Sequence, residues 1–428
     1  MSSKLFVNAS QVVTCSGSAR ARRGIEMQNA EVLTGVAVAF DGEKIAAVAT
    51  PDELERRFPD AEIIDCGKRV ITPGLVDSHT HAIFGRARYE EQEMRAAGVG
   101  YMEIARRGGG IHSSVADLRE RSEDELRDLA RERILRLASY GSTTIEVKSG
   151  YGLSLADEMK SLKVIASLAE ELPVRLVPTW LGAHEIPHEF RTSASGRRDY
   201  IHLLIDEMLP AVTRRGLAWF ADVFCEPGVF TIEETREILT ASRAAGLGIK
   251  LHADELEPHG GAELAAEIEA VSADHLAAIS PRGITALAAS ETVATLLPGT
   301  MLFLGRQQQA PARAMLDAGV AVSLATDFNP GTSPTFNFPL ILTLAVSQLR
   351  MSASEAILAA TVNGAAALGL AGETGQLAPG FSADLAIWEA DDFREIPYWY
   401  GDRRCMGTWV RGKPCHSHDK PDNLNLAR

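Results

Sequence analysis

Eight short apolar runs in the middle of this 428-residue chain constrain its fold more than any other feature. They fall at residues 71–79, 143–148, 175–183, 220–226, 248–252, 270–275, 293–298 and 321–327. Amphipathic stretches of helical period separate them, for example at 123–139, 155–171, 231–245 and 260–269. Strands that alternate with helices in this way build a parallel sheet, and eight such units are the signature of a TIM-like (β/α)8 barrel, an α/β fold. No short internal repeat is present, which argues against a solenoid. The long interval between the first two runs, residues 82–138, must hold at least one extra loop or helix beside the barrel mouth.

The two ends of the chain read differently. Residues 4–14, 35–41, 44–49 and 61–65 are β-like runs between turns, and so are 375–388 and 405–411. Neither end alone is long enough for a good β core. The expectation is a small β-sandwich domain composed of residues 1–68 and 370–428, with the barrel, residues 69–369, inserted between them. Residues 16–31, polar and rich in arginine, read as a loop, and 414–428 as a poorly ordered tail.

Composition narrows the class. The chain carries 43 Lys and Arg against 57 Asp and Glu, a formal charge of −14, which opposes nonspecific binding of nucleic acid. No run approaches the ~18 apolar residues of a membrane span. The N-terminus leads into neither a signal-peptide apolar region nor an arginine-rich transit helix. Five cysteines, at 15, 66, 225, 405 and 415, form no Cys-x-x-Cys pair, and a reducing cytoplasm fits them best.

In such a barrel the site is built at the C-terminal ends of the strands. The first run closes on Val76-Asp77-Ser78-His79-Thr80-His81. Residues two apart on a strand face the same way, so both imidazoles can offer a nitrogen to one metal ion. The bland alternative is a pair of surface histidines. Later strand ends carry Lys148-Ser-Gly-Tyr151-Gly152, Leu181-Gly-Ala-His184, Phe220-Ala-Asp-Val-Phe-Cys-Glu226, Lys250-Leu-His252-Ala-Asp-Glu255, Ser272-Ala-Asp-His275 and Ala325-Thr-Asp327-Phe-Asn329-Pro-Gly331. Any one of these histidines reads as a satisfied core residue, Asp327 alone as a turn or cap residue, and Glu255 alone as a solvated acid. Together they form a specific pattern.

These segments, with Leu377-Ala-Pro-Gly-Phe-Ser-Ala-Asp384 near the C-terminus, resemble the amidohydrolase superfamily of metal-dependent hydrolases over nearly the whole chain. More narrowly they are similar to its branch that opens an imidazolone ring bearing a propionate tail. The resemblance implies one divalent metal ion per subunit, zinc or iron, held by His79, His81, His252 and Asp327, with Asp327 also taking a proton from the attacking water. It implies catalytic roles for His275 and Glu255, whose division the sequence leaves open, and substrate contacts from Arg88, Tyr151, His184, Glu255, Asn329, Gly331 and Thr332. The family often has Ser where Thr332 stands, a change that keeps the hydroxyl. Arg86 and Arg95 rival Arg88 on chemistry alone. The implied partner is a small molecule, imidazolone propanoate, and a homodimer is the family-level expectation.

Three features receive plainer readings. Gly108-Gly-Gly110 lacks the strand and lysine of a phosphate loop and reads as a packed or flexible loop. Lys148 invites a carbamylated, two-metal site, but the bridging lysine of such relatives sits on strand four, where Cys225-Glu226 stand here. Cys225 reads as a small core residue. The rival functions are a purine or pyrimidine deaminase with the same ligands, and a non-catalytic binding barrel.

Overall fold

The structure, a computed structural model, describes residues 3–99, 103–104 and 108–417. Its centre is a parallel eight-stranded sheet whose strands follow one another in chain order. They are Leu75–Asp77, Ser142–Lys148, Arg175–Ala183, Phe220–Cys225, Gly248–Ala253, Ser272–His275, Val293–Leu296 and Val322–Leu324. The last strand meets the first beyond their ends. Asp327 N donates to His79 O at 3.0 Å and His81 N to Phe328 O at 2.8 Å. Below them, buried Asp77 accepts from Thr326 N at 2.9 Å and Thr326 Oγ1 at 2.7 Å. The (β/α)8 barrel is therefore closed at a seam that also sets His79, His81 and Asp327 side by side.

Nearly every residue of these strands is buried, because one face lines the barrel and the other packs on helices. The alternation is unusual in its chemistry. Ile145, Val147, Val223, Ile249, Leu251 and Ala273 join the main apolar core. Their alternates Glu146, Lys148, Asp222, Lys250 and Asp274 are also wholly or almost wholly buried and cluster with one another. This barrel is filled by charge where branched aliphatics are the norm.

The helices lie close to their expected spans: Glu123–Ala138, Leu155–Glu171, Ile232–Ala244 and Gly261–Glu267. Capping boxes at Ser122/Glu125 and Thr231/Glu234 fix two of the starts. Among the described residues, the interval after the first strand holds the helices Tyr89–Ala96 and Ile111–Glu120.

Two further sheets come from the chain ends. One is ordered Lys44–Ala49, Ala37–Asp41, Lys4–Val7 and Glu62–Asp65. The other runs Lys413–Ser417, Cys405–Val410, Leu385–Trp388, Val70–Pro73, Gln11–Val13 and Val32–Leu33. Phe6, Phe40, Ile71, Leu385 and Trp409 share a core between them, which gives the small sandwich.

Three expectations need correction. Residues 71–79 are not one barrel strand: Val70–Pro73 pairs antiparallel with Leu385–Trp388 in the small sheet, and the barrel strand begins at Leu75. Residues 16–31 include a 3-10 turn, Gly24–Gln28, and Arg22 beside it is tied to the barrel by Arg22 N donating to Asn363 Oδ1 at 2.7 Å. Residues 414–417 belong to an ordered strand, and 418–428 lie outside the described residues.

The switch between sheets occurs at Gly74, where a Cβ would fall 2.0 Å from Thr143 Oγ1. Gly74→Ala is therefore expected to destabilise the protein by about 1–3 kcal/mol through overpacking. A lower apparent Tm in thermal unfolding followed by circular dichroism checks this; an unchanged Tm would mean that Thr143 yields freely.

Candidate metal centre and active site

The first barrel strand delivers His79 and His81 with their Nε2 atoms 3.2 Å apart. Across the seam Asp327 places Oδ1 3.5 Å from each of those nitrogens. His252, from the fifth strand, completes one group of convergent donors with His79 and His81; His79, His275 and Asp327 form a second. All five side chains are buried.

The protons on these imidazoles are set from behind. His79 Nδ1 lies 2.6 Å from Asp274 Oδ2, and His252 Nδ1 lies 3.1 Å from Asp222 Oδ1. A carboxylate only accepts, so each Nδ1 carries the hydrogen and each Nε2 turns a lone pair toward the cluster. His252 Nε2 is buried and makes no hydrogen bond. Burial, reinforced by the nearby Lys148 ammonium, holds His79, His81 and His275 well below the ordinary histidine range. Neutral imidazoles with lone pairs converging on an anionic carboxylate are the donor set that a divalent metal requires.

The carboxylates behind the ligands are held in turn. Lys148 Nζ is 2.7 Å from Asp222 Oδ2 and 2.8 Å from Glu146 Oε2. Lys250 Nζ is 3.0 Å from Glu146 Oε1 and donates to Ser78 O at 2.9 Å. Burial opposes the charge on Asp222, yet His252 and Lys148 outweigh it and keep that carboxyl well below its usual range. With Nζ committed to two carboxylates, Lys148 supports the ligands from behind. Asp327 is fixed through its other oxygen, which accepts from Thr300 Oγ1 at 2.5 Å, and burial pushes its carboxyl up to about 6.

A cavity of about 50 Å³ opens beside the cluster, lined by Arg88, Tyr151, His184, Glu255, Asn329 and Thr332 together with His81, His252, His275 and Asp327. His184 Nδ1 lies 2.8 Å from Gly150 O, so it donates there and leaves Nε2 as an acceptor; burial lowers this imidazole to about 3. Glu255 Oε2 stands 3.6 Å from His275 Nδ1. Burial, then the neighbouring Asp327 and Glu226, push the Glu255 carboxyl well above the ordinary range.

Among the three arginine candidates, the structure places Arg88 at the pocket. It is 7% exposed, its Nε and Nη1 make no hydrogen bond among the described residues, and Glu91 stands 3.5 Å away. Arg86 points outward and faces Glu90, and Arg95 donates to Gly331 O at 3.0 Å. Gly331 is a packing position: a Cβ there would lie 1.6 Å from Arg88 Nη2. Asn329 spends its side chain on the turn, accepting from Gly331 N and Thr332 N and donating to Asp327 O. Cys225 is buried in the core.

Sequence reasoning assigned no role to Asp222, Asp274, Glu146, Lys250 or Thr300. The first four had a signal, namely ionisable residues at inward positions of strands otherwise apolar. Thr300 had none, since it reaches the site from the helix Pro298–Phe303.

Residues 102–416 match the amidohydrolase family, and residues 37–61 match the imidazolonepropionase-like composite domain of bacteria. The chain thus belongs to the amidohydrolases, metal-dependent hydrolases of carbon–nitrogen bonds. It is 46% identical over 415 residues to the imidazolonepropionase of Bacillus velezensis, spanning 97% of each chain. It is 47% identical over 401 residues to that of Symbiobacterium thermophilum, spanning 93% of each. Within the amidohydrolases, the chain is a member of the imidazolonepropionase family. Solved structures of similar fold include a triazine hydrolase variant, with TM-score 0.72 and 19% identity over 99% of this chain and 97% of that one. An adenosine deaminase from Xanthomonas campestris with bound zinc gives 0.71 at 18% identity, over 98% and 95%.

Weakening the support behind one donor tests the cluster as a metal centre. Asp222→Asn keeps the volume but removes the charge that holds His252, and is expected to lower affinity for added Zn²⁺ by roughly 10- to 100-fold. Competition with a chelator measures it, and an unchanged affinity would contradict the reading.

Proposed function

We propose that the chain opens the ring of 4-imidazolone-5-propanoate by hydrolysis, giving N-formimidoyl-L-glutamate in histidine degradation. Water adds to the ring carbonyl carbon, the bond from that carbon to the ring nitrogen breaks, and the nitrogen leaves with a proton. The observation that carries the reading is Arg88: a buried guanidinium, two of whose nitrogens make no hydrogen bond among the described residues, faces the same small pocket as the imidazole cluster. A propionate tail supplies the paired oxygens such a group binds best.

In this reading His79, His81, His252 and Asp327 hold a single divalent ion, zinc or iron, both of which these donors suit. Bound there, the ion supplies Lewis-acid activation of the water and of the carbonyl. Asp327, with one oxygen tied to Thr300 and the other toward the imidazoles, accepts the proton of the attacking water. His275 donates to the carbonyl oxygen as negative charge builds on it. Glu255, whose carboxyl burial pushes well above the ordinary range, is the group placed to deliver a proton to the departing nitrogen. His184 offers Nε2 to a ring N–H, and Tyr151, whose ring centroid lies 5.2 Å from that of His184, packs beside it. Asn329, Gly331 and Thr332 shape the floor beneath Arg88.

Loss of the imidazolone ultraviolet absorbance tests the proposal. Metal-loaded protein should turn the substrate over, and a chelator should abolish turnover; no turnover by loaded protein would contradict it. Arg88→Ala should raise KM by roughly 10- to 100-fold, with Arg88→Lys restoring little because a point charge lacks the paired geometry. A KM unchanged in Arg88→Ala would place the carboxylate elsewhere.

A further inference from the structure

Among the described residues the Glu255 carboxyl makes no hydrogen bond, its ionic neighbour being His275 Nδ1 at 3.6 Å, so the backbone beneath it is what chiefly sets its position. That backbone is the segment after the fifth barrel strand, and it lacks regular secondary structure until the helix Gly261–Glu267. Two buried carboxylates take up its amides. Asp254 accepts from His259 N, Gly260 N and Gly261 N through Oδ1, at 2.8, 3.0 and 3.1 Å, and from Ala262 N through Oδ2 at 2.9 Å. That organises the half of the loop leading into the helix.

The half that carries Glu255 is held from a different strand. Glu226, just beyond the fourth strand and 2% exposed, accepts from Glu255 N through Oε2 at 3.1 Å. Its Oε1 accepts from Leu256 N at 3.0 Å and Glu257 N at 2.8 Å. Three consecutive amides thus converge on one carboxylate, an arrangement that fixes backbone orientation while leaving the Glu255 side chain free to face the pocket. Phe224 and Leu256 line both the catalytic pocket and a neighbouring cavity of about 400 Å³. The segment that Glu226 fastens is therefore also part of the partition between the two.

We infer that Glu226 is a positioning residue for ring opening, acting through Glu255 by clamping the amides of residues 255–257. The inference rests on the role given above to Glu255. It makes a specific distinction between the two oxygens. In Glu226→Gln the amide carbonyl can keep the bonds to Leu256 and Glu257, but the NH2 group then faces the N–H of Glu255, donor against donor. Gln should release Glu255 selectively without removing the whole clamp.

A double-mutant cycle tests this, with Glu226→Gln, Glu255→Gln and their combination made in the metal-loaded enzyme. Glu226→Gln alone should lower kcat by roughly tenfold while KM stays within about threefold, and in the Glu255→Gln background it should cost less than about twofold. Equal losses in both backgrounds, or no loss in the first, would overturn the inference. Glu226→Asp, which keeps the charge but shortens its reach, should give the same non-additive pattern. Amide hydrogen exchange is a second readout that needs no substrate: the Glu255 amide should exchange faster in Glu226→Gln while the amides of the barrel strands keep their protection. Unchanged exchange at Glu255 would overturn the clamp. Failure of the wild-type protein to open the ring would instead remove the functional reading and leave the exchange result intact.

Discussion

Two lysines buried at the centre of the barrel hold the site together. Lys148 and Lys250 sit among Glu146, Asp222 and Asp274 with no side-chain exposure, and through those carboxylates they fix the imidazoles of His252 and His79. Such a cluster is a poor source of stability, because taking charges out of water costs about as much as their attraction returns. Its value lies in orientation. Removing either lysine would strand carboxylates in a medium that cannot solvate them. At formal charge the two lysines face four carboxylates once Asp327 is included, and a divalent cation at the imidazoles brings the group to neutrality.

The fold and the site share hydrogen bonds. The seam that closes the barrel, from Asp327 N to His79 O and from His81 N to Phe328 O, is also what brings together ligands that follow the first and the last barrel strands. Asp77 and Thr326 brace the same seam one layer lower, with burial pushing the Asp77 carboxyl up to about 7. A change at this seam would act on closure and on metal geometry at once. The small sandwich feeds the first strand into it, and Gly74 is the point at which the chain passes from one sheet to the other.

Periodicity made the eight strands and four of the helices legible, because burial on both faces leaves unbroken apolar runs and amphipathic helices leave a 3.6-residue pattern. The same property hid the break at Gly74. Val70–Pro73 and Leu75–Asp77 are equally buried in two different sheets, so hydrophobicity carries no mark of the change. His79-Thr-His81 was legible as a possible ligand pair from its spacing alone. Its completion by His252 and Asp327, and the choice of Arg88 over Arg86 and Arg95, depended on resemblance, since spacing does not reveal which side chains meet across a barrel. Asn329 shows the opposite case: turn chemistry accounts for its hydrogen bonds.

Anomalous diffraction at the metal edge, from crystals of the protein grown with its ring-opened product, would test the central claim most directly. One ion is expected, about 2.0–2.2 Å from Nε2 of His79, His81 and His252 and from a carboxylate oxygen of Asp327. A product carboxylate should lie on Arg88 in the same map. An ion bound by other side chains, two ions sharing the site, or a product turned away from Arg88 would contradict it.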